Sequence, residues 1–344
     1  MTLSRRDVVK RGGALGVGLG AGLPMADGLL AAPKAGRGYR LRAQEGNRNV
    51  IFVTHDDNPF FVPVRAGFEE FGTMAGWETQ WIGPPAHDEV ATLQYQLDAI
   101  AARPMAVGFT RVNTAQFDDA IRQAQEEGIF VILYNTASDG YQELNVAYVG
   151  QEFIPAGIES GLQAARHARE ITGRTDGTIV LGTIAPGHSA LDARMEGARQ
   201  GIAQYNEENG TTFTTEDLTT STDPAEAIAR LDAKWAADGD RIVGFAHADF
   251  VHAQTGIWIE QAGLEGQFAN GGFDLVPEVL TAIQNGTAQW SIAQNPYAQG
   301  WVTSSLIHMG AARGYPPFSY DTGAEIVDAA NIEAVVEREQ QFAG

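Results

Sequence analysis

From Asn49 onward, short apolar runs alternate with stretches whose apolar residues recur every three or four positions. The runs are Val50 to Val53, Trp77 to Ile82, Ala106 to Phe109 and Ile129 to Leu133. Runs of this length suit strands buried on both faces of a parallel sheet. Between them, Val64, Phe68, Phe71 and Ala75 mark one helix, and Phe117, Ala120, Ile121 and Ala124 mark another. Gly76 and Gly128 follow these helices directly, where a left-handed C-cap favours glycine. The alternation predicts a parallel α/β sheet.

The same pattern restarts after residue 150. Ile154, Ile158, Leu162 and Ala165 form a helical stripe, and a strand is expected at Thr178 to Leu181. Helices follow from Ser189 and over Pro224 to Ala237, with strands at Arg241 to Phe245 and Gln267 to Phe273. No Pro- or Ser-rich tether separates the two halves, so two closely packed lobes are expected. Ligands of open parallel sheets sit beyond the carboxyl ends of the strands. Two such lobes facing each other make a cleft suited to a small molecule.

The amino terminus reads differently. Ser4-Arg5-Arg6-Asp7 precedes a Gly- and Ala-rich stretch from Gly12 to Ala26, a pattern that looks like a twin-arginine export signal. Residues 1–40 are therefore read as a cleaved signal and linker, and the mature chain is expected in the periplasm. Cysteine is absent, which removes disulfides, thiolate chemistry and a lipid-anchoring cysteine. Beyond residue 35, 18 basic side chains face 41 acidic ones. Such a surface repels nucleic-acid phosphates and anionic lipid headgroups. Lys234 is the only lysine in that stretch, which fits either a salt-rich habitat or a GC-rich genome.

Six segments then become specific in their order. They are Thr54-His55-Asp56-Asp57-Asn58-Pro59-Phe60-Phe61, Gly128 to Asn135, Tyr148-Val149-Gly150-Gln151, Leu191 to Gly197, Gly272-Phe273-Asp274 and Ile292-Ala293-Gln294. Together they make the chain resemble the ribose-type periplasmic sugar-binding proteins over roughly residues 48 to 330. The resemblance implies an α/β fold of two Rossmann-like lobes with parallel sheets joined by three hinge crossovers, the type I periplasmic binding protein architecture. It places the crossovers near Gly150, Gln294-Asn295 and Asp321–Gly323. One lobe is expected over 48–149 plus 295–322, and the other over 150–294 plus 323–344. The implied role is a monomeric receptor that clamps a sugar or polyol and delivers it to the permease of an ABC importer. Membrane contact is then only through the permease, and no cofactor or metal is implied. A chemoreceptor-coupled sensor is the alternative, and the effector domain of a sugar-responsive regulator a weaker one.

A sugar presents hydroxyls and apolar C–H faces, so its site needs multivalent polar side chains beside aromatic rings. The resemblance assigns this to Asn58, Phe60, Phe61, Asn135, Asp192, Arg194, Asp249, Asp274 and Gln294. Asn135 and Thr136 stand where ribose binders often carry Asp and Arg, and Ala248 replaces an Asn before Asp249. His247, just ahead, offers ring nitrogens as one candidate replacement for that lost amide, with a hydrogen-bonded strand end as the alternative. His55, Asp56 and Asp57, and likewise His247, Asp249 and His252, cluster in sequence. Neither group has the spacing of a metalloprotease helix or a nucleophile elbow, so no catalytic residue is assigned.

Overall fold

Every strand predicted from an apolar run forms, and strand-helix alternation holds from Asn49 to Ile307 except between Tyr134 and Ala147. The computed structural model describes residues 46–342 apart from Thr114. The leader around Arg5-Arg6 lies outside the described residues. In order, the first half contains β1 (Asn49–Val53), α1 (Phe61–Ala75), β2 (Glu78–Ile82), α2 (Glu89–Ala101), β3 (Ala106–Phe109), α3 (Ala115–Glu126), β4 (Phe130–Tyr134) and β5 (Ala147–Gly150). The second contains α4 (Phe153–Thr172), β6 (Asp176–Thr183), α5 (Ser189–Asn209), β7 (Thr212–Thr219), α6 (Pro224–Asp238), β8 (Ile242–His247), α7 (His252–Ala262), β9 (Ala269–Phe273), α8 (Pro277–Gln284) and β10 (Trp290–Ala293). Last come α9 (Pro296–Ile307), β11 (Tyr320–Asp321), β12 (Glu325–Asp328) and α10 (Ile332–Glu339).

These strands build two six-stranded sheets, ordered β11-β5-β4-β3-β1-β2 and β12-β10-β9-β8-β6-β7. Pairing is parallel except that β12 runs antiparallel to β10, with Trp290 opposite Asp328. The parallel-sheet expectation therefore has one edge exception. In the first sheet, Ile51, Val53, Val107, Phe109, Val131 and Leu133 enter one core. Their neighbours Val50, Phe52, Ala106, Phe130, Ile132 and Tyr134 enter the core on the opposite face. Because successive side chains point to opposite faces, a strand covered on both sides must be apolar throughout. β7 escaped the sequence pattern because it is a polar edge strand, with exposed residues at Thr212, Thr214 and Thr219.

Helix ends follow local chemistry. Asp223 caps α6 by accepting from the Glu226 N–H at 2.9 Å, with Pro224 at the first helical position. Gly76 and Gly128 adopt φ of 69° and 80°, the left-handed conformation expected after α1 and α3. Helices α4 and α5 meet through Gly157, Gly161, Gly197 and Gly201, where any Cβ would overlap the facing backbone. This close contact seats α5 against α4, and α5 carries Arg194 toward the cleft.

The chain passes between the sheets three times, between β5 and α4, between β10 and α9, and between β11 and β12. β12 joins the second sheet and α10 packs on α8, while the short turn Gln340–Phe342 lies against α1. There the Phe342 ring stands 5.7 Å from Tyr297. One buried side chain ties the three passages together. The Gln151 amide donates to the carbonyls of Ala293 at 3.3 Å and Gly323 at 3.0 Å. Its Oε1 accepts from Arg194 Nη2 at 2.9 Å. Gln151→Ala leaves two carbonyls and a buried guanidinium short of partners. We expect a loss of roughly 2–4 kcal/mol in denaturant unfolding. A loss below about 0.5 kcal/mol, typical of an indifferent surface site, contradicts that role.

Candidate functional site

The carboxyl ends of β1 and β4 in the first sheet face those of β6, β8 and β9 in the second, and side chains from both line one cavity. Its volume is about 110 Å³. One water needs roughly 10–15 Å³ on this measure, so the space suits on the order of ten non-hydrogen atoms. Of the residues assigned from sequence, Asn58, Phe60, Phe61, Asn135, Arg194, Asp249, Asp274 and Gln294 line it.

Phe60 ends the first βα loop and Phe61 opens α1, with their rings edge to face, 5.1 Å apart. Both also belong to the core under the first sheet, so their cavity faces are the outer surfaces of packed rings. Asn58 precedes them and accepts from the Phe60 N–H at 2.9 Å, so its oxygen is spent on the turn. Asn135 and Asp274 occupy corresponding places at the ends of β4 and β9, with φ of 63° and 74°. Asn and Asp tolerate this left-handed conformation better than most residues. It turns both side chains out of the strand line at the cleft.

A chain of amides connects them. Asn135 Nδ2 donates to Gln299 Oε1 at 3.1 Å, and Gln299 Nε2 donates to Gln294 Oε1 at 3.3 Å. Gln294 Nε2 then donates to Asp274 Oδ1 at 2.5 Å. The network runs from the first sheet, through α9, to the second. Its members lie at 8% exposure or less, where a satisfied polar network is worth more than in water.

Arg194 holds the opposite wall. Its guanidinium lies 4.2 Å from the Phe273 ring centre and donates to the Ala248 carbonyl at 3.1 Å. Burial lowers its pKa from the usual arginine value, opposed by Asp274, Tyr148 and Asp249. Asp249 accepts from the backbone N–H groups of Ile184 and Val251, both at 2.9 Å. Burial nonetheless pushes its carboxyl up to about 7. Burial also raises Asp274, against the pull of Arg194 and the Gln294 hydrogen bond. One guanidinium near two carboxylates leaves the cavity without excess positive charge.

One assigned residue, Asp192, and one candidate, His247, fall outside the cavity. Asp192 is exposed and does not line the cleft. It accepts from the Gly187 N–H at 3.3 Å and borders a separate groove with Met195, Arg199 and Asp217. A helix turns about 100° per residue, so residues two apart point to different sides, and Arg194 takes the cleft side. His247 is buried at 1% exposure against Thr255, with its Nε2 2.9 Å from the hydroxyl, and does not reach the cavity. Thr136, at 1% exposure, also stays out of it.

Sequence reasoning missed His87, Phe153, Ile184, His188 and Phe250 as lining residues, and set His55 and Asp56 aside. His87 and His188 are isolated in sequence and carry no local signal. Burial and the neighbouring histidines hold His55 well below its usual pKa. For His188, burial, His87 and Arg194 lower it to about 4. A larger open groove of about 720 Å³ lies by Ile171, Arg174, Trp235 and Gly239, but it lacks such converging buried polar groups.

Comparison with known proteins bears on this geometry. A family model described as a periplasmic binding protein domain matches residues 49–312. The xylose/arabinose-binding protein XylF of Sulfolobus acidocaldarius is 22% identical over 321 residues, spanning 88% of this chain and 77% of that protein. An ABC transporter solute-binding protein from Burkholderia graminis, solved in complex with D-arabinose, shares the fold at a TM-score of 0.73 and 20% identity. That match covers 83% of this chain and 96% of the other. A carbohydrate transporter from Acidothermus cellulolyticus, in complex with myo-inositol, gives a TM-score of 0.72 at 21% identity over 87% and 100% of the two chains. With the family match spanning most of its length and two facing parallel sheets crossed three times, this chain belongs to the periplasmic binding protein family.

Proposed function

We propose that the protein captures a monosaccharide or a cyclic polyol between its two lobes and presents it to the permease of an ABC importer, without chemically changing it. The observation that carries this reading is the cavity itself. Within one small space, the ring faces of Phe60 and Phe61 stand beside buried polar groups from both sheets. Aromatic faces pair with sugar C–H surfaces, and vicinal hydroxyls pair with carboxylates and amides that both accept and donate. Arg194 faces two carboxylates, Asp249 and Asp274, so the cavity carries no excess positive charge, which favours an uncharged polyol over a sugar phosphate or a sugar acid. The D-arabinose and the myo-inositol held by two proteins of the same fold have about the size the cavity takes.

Capture for import needs an exported receptor. Export through the leader is part of the proposal, and among the described residues no helix is long and apolar enough to cross a membrane. Replacing Arg5 and Arg6 together by Lys should leave unprocessed protein in the cytoplasmic fraction. Unaltered release into the periplasm contradicts the twin-arginine route.

A thermal-shift screen against pentoses, hexoses and inositols should yield a ligand that raises the melting temperature with concentration, as mass action requires. For that ligand, Asp274→Ala leaves hydroxyls unpaired in a dry site. Calorimetry should show affinity weakened by roughly 1–3 kcal/mol, about 5- to 150-fold. A screen without any hit, or an Asp274→Ala protein that binds the hit unchanged, counts against the assignment.

A further inference from the structure

Three imidazoles converge at one rim of the cleft. His55 follows β1, His87 lies in the loop between β2 and α2, and His188 stands at the N-cap of α5. Their ring centres form a nearly equilateral triangle with sides of 5.5, 5.7 and 5.4 Å. One ligand-capable nitrogen from each lies within 4.8 Å of the other two. His55 is 8% exposed, and the Nδ1 atoms of His55 and His188 are buried without a hydrogen-bond partner from the protein.

Ordinary packing does not explain this arrangement. Histidine is amphipathic, and a buried ring nitrogen is usually hydrogen-bonded. His247 and His252, buried in the second lobe, also leave one ring nitrogen without a partner, yet each engages one through the other nitrogen, Thr255 Oγ1 at 2.9 Å and the Asp249 carbonyl at 3.2 Å. The cleft triad instead turns its nitrogens toward one another. Tetrahedral coordination at a Zn–N distance of about 2.0–2.1 Å sets nitrogens roughly 3.4 Å apart. Small side-chain rotations reach that spacing from separations within 4.8 Å.

We propose that His55, His87 and His188 form a divalent transition-metal site of the zinc class that bridges the two lobes at the rim of the cleft. Imidazole suits zinc, cobalt, nickel and copper and discriminates against calcium and magnesium, which prefer oxygen. Glu89 Oε1 stands 3.9 Å from His87 Nε2 and adds a carboxylate to the surroundings of the triad. Asp56 lines the same cavity with one buried carboxylate oxygen lacking a protein partner, which adds negative charge beside three neutral ligands.

The site spans two lobes, and this gives it a consequence. His55 and His87 come from the first lobe and His188 from the second, so all three meet one ion only while the lobes are together. The same rim carries a cross-lobe hydrogen bond of 2.8 Å between Ser138 and Ser189. A metal with differential contacts for the closed arrangement shifts the population toward it. By linkage, metal and cleft ligand then strengthen each other's binding. The metal site itself stands on the triad alone and does not depend on the ligand being a sugar.

Titration of the intact protein with Co²⁺ alone tests it, because tetrahedral cobalt–histidine sites absorb visibly. We expect one strongly absorbing ion per chain, displaced by Zn²⁺, and a higher melting temperature with Zn²⁺. His87 is exposed, so His87→Ala should fold normally. It and His188→Ala should each weaken cobalt binding by more than the roughly 10–100-fold that loss of an outer partner costs. His167→Ala, outside the triad, serves as the control and should bind like the parent. Weak binding unaffected by His87→Ala overturns the site. Tight binding that survives His188→Ala overturns the bridge.

Discussion

The side chain of Gln151 is the point on which the architecture turns. It lies at 1% exposure where the chain first leaves the first sheet, yet it hydrogen-bonds the carbonyls that flank the other two passages. A primary amide offers two donors and an acceptor in one plane. Here the donors bind backbone at two crossovers while the oxygen holds Arg194. The crossovers are thereby coupled to the cavity wall by direct contact. Around it, Tyr148 donates at 2.8 Å to the carbonyl of Asn135, and the Asn135–Gln299–Gln294–Asp274 relay crosses between the sheets. Between Arg194 at one end and Asp274 at the other, neutral groups carry these connections. They give directional contacts without the desolvation cost of buried ions.

The cleft also contains charge that the fold must hold down. Arg194 is buried with Phe273 against its face and two carboxylates nearby. Asp249 spends both oxygens on backbone N–H groups, so it fixes the loops after β6 and β8 as well as lining the cavity. Lining the cavity and bracing the loops are therefore not separable at this residue. Asp274 is different, because its backbone is held by β10 while Oδ1 is met by Gln294. Its second oxygen is the more available acceptor in the cavity.

Much of this was legible in the sequence, and the reasons are physical. Strands covered on both faces are continuously apolar, so β1, β3 and β4 announce themselves, and capping glycines mark the helix ends. The polar edge strand β7 does not, since exposure removes the demand for apolar residues. In the site, motif resemblance found the residues at strand ends, where backbone position alone decides what faces the cleft. It failed at Asp192, where helical phase decides, and Arg194 two residues on took the inward side. It could not see the histidine triad. His55, His87 and His188 are far apart in the chain and adjacent only once two lobes face each other. Gln151 was part of a matched segment, but its function as a tie between three passages exists only in the folded chain.

The central claim is that a small molecule draws the two lobes together about these crossovers. Small-angle X-ray scattering of the protein, recorded without ligand and at saturation with the sugar or polyol that stabilises it, tests this most directly. The account predicts a smaller radius of gyration and a profile shifted toward the closed arrangement, because groups from both lobes contact the same molecule. A profile unchanged at saturation contradicts it.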